Sequence, residues 1–159
     1  MLVVSDATPL HYLVQISEIN LLRDLYGRIV VPAAVVNELS AAKAPIEVRN
    51  WITAMPEWAT VEHVQPSATP HFDSLGLGER EAIALAHRAN DSLLLTDDLQ
   101  ARAAAESLGI QVVPTIRILS TAAAISLVDF EDAIQRLQQT NFRVTRKIID
   151  KILQRESAQ

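Results

Sequence analysis

Four short apolar runs punctuate the chain, each bounded by charge, glycine or proline: LVVS at 2–5, RIVV at 28–31, LLLT at 93–96 and IQVV at 110–113. Runs this short, without polar alternation, read as strands buried on both faces. Most are followed by a helical pattern, and that alternation predicts an α/β fold with a central, mainly parallel sheet covered by helices. Helices are expected at TPLHYLVQI, at INLLRDLYG stopped by Gly27, at PAAVVNELSAA with Pro32 near its first turn, at GEREAIALAHRAN, and at DLQARAAAESLG closing on Gly109. From Pro45 to Phe72, IEVRNWITAM reads as a helix and ATVEHV as an edge strand, followed by the loop QPSATPHFDSLGLG. The last third is helical, with Asp129 and Thr145 as N-caps and Ile148, Ile149, Ile152 and Leu153 on one apolar stripe. Residues 1–127 are expected to form the α/β domain, and 128–159 a helical extension packed on it or on a partner.

A chain of 159 residues can bury a core without covalent staples. With no cysteine it has no disulfide framework, no thiolate nucleophile and no Cys-bearing zinc site. Neither a secretory leader nor a membrane-spanning stretch is signalled, and a cytoplasmic location is expected. The net charge of −5 argues against general attraction to nucleic acid, yet the tail FRVTRKIIDKILQR is basic while acids concentrate upstream.

Strand C-termini of a parallel sheet emerge on one edge, where ligands bind. Asp6 follows the first strand, and Asp97 and Asp98 follow LLLT. Glu38 lies about two turns into the helix after the second strand, and Glu79 and Glu81 in the first turn of the helix preceding LLLT. Each acid also has an ordinary structural reading. Asp97 with Gln100 makes a capping box, Glu79 and Glu81 favour a helix N-terminus, and Glu38 flanks the face of Val35, Val36 and Leu39. Asp6 is harder to explain that way, because Thr8 before Pro9 is expected to cap the first helix already. Two carboxylates about 4 Å apart repel by roughly 4 kcal/mol at an effective dielectric near 20. A cluster therefore holds protons or binds a cation, and oxygen donors suit Mg²⁺ or Mn²⁺ and metal-assisted phosphodiester hydrolysis.

Other chemistries fit less well. A dehalogenase-like phosphatase wants a second Asp where Thr8 stands, and a receiver domain wants a Lys after the last strand, whereas the lysines are Lys43, Lys147 and Lys151. No glycine-rich phosphate loop follows the first strand. His11, His63, His71 and His87 lack ligand spacing, and Ser5 and Thr8 lack a base.

On VVSDATPL, VVPAAVVNEL, GLGEREAIALA and LLLTDDLQAR, taken in that order, the chain resembles the PIN domain, the nuclease fold of VapC-like toxins. The resemblance implies a three-layer α/β/α architecture and one or two divalent ions, Mg²⁺ or Mn²⁺, held by Asp6, Glu38, Glu81 and Asp98. In GERE the family pattern fits Glu81, while Glu79 lies nearer the centre of the apolar face; in TDD the spacing favours Asp98, while capping admits Asp97. Thr8 and Thr96 match hydroxyl positions that orient the acids. Arg102, Arg143, Arg146 and Lys147 are candidate phosphate contacts, with solvated helix charge as the plain alternative. The implied activity is a metal-dependent ribonuclease restrained by a small antitoxin and forming a homodimer; the alternative is a PIN-like binding module with little or no catalysis.

Overall fold

The computed structural model describes residues 1–65 and 72–157. Strands β1 (Leu2–Ser5), β2 (Ile29–Pro32), β3 (Ala59–Glu62), β4 (Ser92–Leu95) and β5 (Gln111–Val113) form one sheet in the order β3-β2-β1-β4-β5. Every neighbouring pair is parallel, so the expected architecture is present and the edge strand expected in ATVEHV is β3. Among the described residues the connections supply nine helices: α1 (Ala7–Gln15), α2 (Leu21–Tyr26), α3 (Ala33–Ser40), α4 (Ile46–Thr53), α5 (Leu77–His87), α6 (Leu99–Ser107), α7 (Thr115–Ala124), α8 (Phe130–Gln138) and α9 (Arg146–Ser157).

Successive strand side chains point to opposite faces, which is why the apolar runs needed no polar alternation. Val3, Ile29, Val31, Leu93 and Leu95 pack in one core with residues of α1 to α4 and α7 to α9. Val4, Val30 and Leu94 pack in a second core against Ala82, Ile83 and Leu85 of α5 and Ala101 and Ala105 of α6. Helices cover both faces, giving three layers. Ile134 and Leu137 of α8 and Ile149 of α9 share the first core with Leu10 and Leu13 of α1. Arg136 of α8 donates to Ile16 O and pairs with Glu18 at 3.0 Å, tying this helix to the turn after α1. Along the α9 stripe, Ile149 is buried and Ile152 and Leu153 partly so, whereas Ile148 lies on the flank, 48% exposed.

Helix starts differ from the sequence reading by one or two residues. Asp6, not Thr8, caps α1, with extended backbone and a side chain accepting Ala7 N–H. Asp98, not Asp97, caps α6, accepting from the N–H groups of Gln100 and Ala101. Pro32 ends β2 and caps α3 instead of lying in its first turn. The stops at Gly27 and Gly109 are as expected, both at φ 78°, a backbone that suits glycine. The expected loop at 65–78 falls partly on 66–71, outside the described residues, as does His71; Asp129 and Thr145 accept helix N–H groups as N-caps do.

Candidate active site

Connections leave β1 toward β2 and leave β4 toward β5, on opposite sides, so the boundary between β1 and β4 is the topological switch point of the sheet. A crevice opens outside the strand ends at such a point. The register sets Ser5 opposite Leu95, and Asp6 N–H donates to Leu95 O at 2.9 Å. Asp6 and Thr96 are thereby neighbours.

The Asp6 carboxylate is 3% exposed and held from both sides. Oδ1 accepts Ala7 N–H at 2.8 Å and Oδ2 accepts the Thr96 hydroxyl at 2.9 Å. Thr96 Oγ1 also accepts Asp98 N–H at 3.2 Å, so one buried hydroxyl links the two acids. Burial pushes the Asp6 carboxyl up to about 6; the Ala7 and Thr96 bonds oppose this, and the charges of Glu38 and Asp98 add to it.

Glu38 is exposed on α3, and Glu79 is half-buried at the start of α5. Glu79 Oε2 accepts Gly76 N–H at 2.7 Å. Its carboxyl is raised to about 7, first by burial and then by Asp6 and Asp98, against the lowering effect of the Gly76 bond. Gly78 keeps the space between the acids open. A Cβ there would stand 3.6 Å from Glu38 Oε2, 3.9 Å from Asp6 Oδ1 and 3.1 Å from Val35 Cγ2. Asp6, Thr8, Glu38 and Glu79, with Ala34 and Asn37, line a cleft of about 330 Å³.

Three of these acids are also helix caps: Asp6 for α1, Asp98 for α6 and Glu79 in the capping box of α5. Each ties one oxygen to backbone N–H at a helix N-terminus, where the helix dipole favours negative charge. The repulsion within the cluster is thus partly offset by the same amides that fix its geometry.

The structure separates two expected members from this group. Glu81, matched by the family pattern, is 8% exposed, and its Oε1 accepts Ala34 N–H at 3.0 Å across to α3. Asp97 uses both oxygens on Thr115, taking the N–H at 2.9 Å and the hydroxyl at 2.6 Å; burial raises its pKa, against both bonds. Of the candidate phosphate contacts, Arg102 pairs with Glu106 at 2.8 Å and Arg146 with Glu131 at 2.9 Å and Asp150 at 3.3 Å. Arg143 and Lys147 are exposed, with no ion pair among the described residues. Sequence reasoning missed Gly78 and Asn37. Only the spacing of GLG from the acids hinted at Gly78, and nothing marked Asn37 beyond its place before Glu38.

A sheet of this topology with carboxylates gathered at its switch point defines an α/β protein of the acidic-cleft kind. The DUF3368 family model, a PIN domain, matches residues 2–158, and the chain belongs to that family. PIN domains are generally nucleases. A solved PilT N-terminus domain protein from the hyperthermophilic archaeon Sulfolobus solfataricus P2 is similar in fold, with 18% identity and a TM-score of 0.51 over 77% of this chain and 93% of that one. No curated protein matches the chain.

The residues fit the divalent ion that the family implies. The donors are carboxylate oxygens without thiolate or imidazole, the set that suits a hard cation, and a single Cβ at Gly78 would fill the space between Asp6 and Glu38. As the side chains stand, no group of three or more acids or histidines among the described residues is arranged to hold an ion. Asp6, Glu38, Glu79 and Asp98 are the residues that would do so.

Proposed function

We propose that the chain is a ribonuclease dependent on Mg²⁺ or Mn²⁺, acting as a VapC-like toxin with Asp6, Glu38, Glu79 and Asp98 as its acids. The observation that carries this reading is the approach of Glu38 Oε2 and Asp6 Oδ1, two acids from separate elements, to within 3.6 and 3.9 Å of the point where a Cβ on Gly78 would stand. Bound metal would supply a water of lowered pKa and charge neutralisation at the phosphate. The protein supplies position. Ala7 N–H and Thr96 hold Asp6 in one orientation, and Thr96 couples that orientation to Asp98. Glu38, exposed and without a hydrogen bond among the described residues, is the carboxylate free to turn and accept a proton.

Unstacked RNA fits an open cleft at a sheet edge better than a duplex does. Arg143 and Lys147, exposed and without an ion pair among the described residues, are proposed contacts for flanking phosphates. A small antitoxin and a second copy of the chain are the proposed partners. A second reading, a PIN-like binding module with little or no catalysis, is favoured by the acids not closing into a three-ligand group among the described residues.

Cleavage of a structured RNA with Mn²⁺, comparing wild type with Asp6→Asn, tests the proposal. Asn keeps the cap on α1, so the variant is expected to fold and to lose activity by roughly a hundredfold. Equal activity in both would place the reaction elsewhere. Metal-dependent RNA binding without turnover by wild type would favour the binding module.

A further inference from the structure

Glu81 leaves a question behind: a carboxylate 8% exposed, displaced from the acid cluster, with only Oε1 engaged by a backbone N–H. It lines a second cleft of about 400 Å³ together with Ala33, His63 and Gln65. This cleft adjoins the first. Ala34, Asn37 and Leu77 line both, so the two clefts share a border. Its character is different. The first gathers carboxylates suited to a cation and a phosphate, whereas the second offers the amides of Asn37 and Gln65, the imidazole of His63 and one buried acceptor.

We infer that this second cleft is a base-binding subsite for the nucleotide flanking the scissile phosphate, and that Glu81 makes it favour guanine. The inference rests on the nuclease reading above for the phosphate's position, but its recognition chemistry stands on the cleft's own residues. An ionised carboxylate accepts and never donates. Guanine presents N1–H and N2–H₂ side by side, two donors matched to one carboxylate, with O6 beside them for an amide or imidazole donor. Uracil offers one N–H between two carbonyl oxygens, which a carboxylate repels. Adenine and cytosine each place a ring acceptor beside the amino group. A pairing of this quality discriminates by roughly tenfold or more.

Glu81→Gln separates this role from a merely structural one. The amide oxygen still accepts Ala34 N–H, while the new NH₂ turns an acceptor-only wall into a mixed one. Two measurements are made on the folded protein, checked by its thermal transition. In the first, cleavage sites are mapped on RNA oligonucleotides randomised at each position. Wild type is expected to enrich guanine about tenfold at one flanking position, and Glu81→Gln and His63→Ala to flatten that enrichment. Cleavage without base bias, or bias unchanged in both variants, overturns the inference and leaves the nuclease reading intact. In the second, guanosine and uridine are titrated without metal while the Asn37 and Gln65 side-chain amide resonances are followed. Shifts with guanosine and none with uridine support the subsite even if no RNA is cut. Equal responses, or no response to guanosine at millimolar concentration, overturn it.

Discussion

Glu79 and Glu81 stand two residues apart on one helix, and Asp97 and Asp98 are adjacent, yet the members of each pair do different work. Glu81 and Asp97 each clamp the first turn of another helix: Ala34 N–H of α3 for one, Thr115 N–H and hydroxyl of α7 for the other. Glu79 and Asp98 cap their own helices and stand within electrostatic reach of Asp6. What separates the two sets is their neighbours. Glu81 and Asp97 are spent on bonds to α3 and α7, whereas Asp6, Glu79 and Asp98 stand within reach of one another's charge, an arrangement that a cation relieves.

Two of the cleft acids predict a response to pH. Asp6 rises from 3.8 unfolded to about 6 folded, and Glu79 from 4.5 to about 7. A raised folded pKa means the native state holds a proton that the unfolded chain has released. The associated stability is full below the unfolded values and is lost as pH rises through about 6 and about 7. Metal-free protein is therefore expected to lose stability from about pH 4 to about pH 7, Asp6 contributing at most about 3 kcal/mol over that span. Thermal melts of wild type and Asp6→Asn across that range check this, with a shallower slope expected in the variant.

Asp97→Ala should show the opposite kind of effect, a loss of stability that metal does not recover. It leaves the N–H and hydroxyl of Thr115, which is 0% exposed, without their partner. A cost of about 2 kcal/mol is expected in urea unfolding. Smaller still, Gly78→Ala brings a methyl to 3.1 Å from Val35 Cγ2 and 3.6 Å from Glu38 Oε2. Strain of about 1 kcal/mol is expected, with weaker Mn²⁺ uptake by calorimetry as the sign that the space between the acids matters.

The sheet was legible because strands buried on both faces leave uninterrupted apolar runs, and β1, β2, β4 and β5 lie within a residue of where those runs stand. The clustering of acids at the sheet edge followed from topology alone. Which acid of each pair faces the cleft did not. Residues two apart on a helix point about 200° away from each other, so GERE shows that one glutamate turns inward without saying toward what. The answer depends on Ala34, 47 residues upstream of Glu81. Capping rules likewise placed the starts of α1 and α6 at Thr8 and Asp97, because they score side chains along the sequence. The caps at Asp6 and Asp98 go with bonds distant in sequence or outside the helices themselves: Asp6 N–H to Leu95 O, the Thr96 hydroxyl to Asp6, and Asp98 N–H to Thr96 Oγ1.

Calorimetric titration of Mn²⁺ into wild type, Asp6→Asn and Glu81→Gln at pH 7.5 bears most directly on the division between the two sets of acids. The account expects uptake by wild type and by Glu81→Gln, and none by Asp6→Asn. Uptake that survives in Asp6→Asn and vanishes in Glu81→Gln would contradict it.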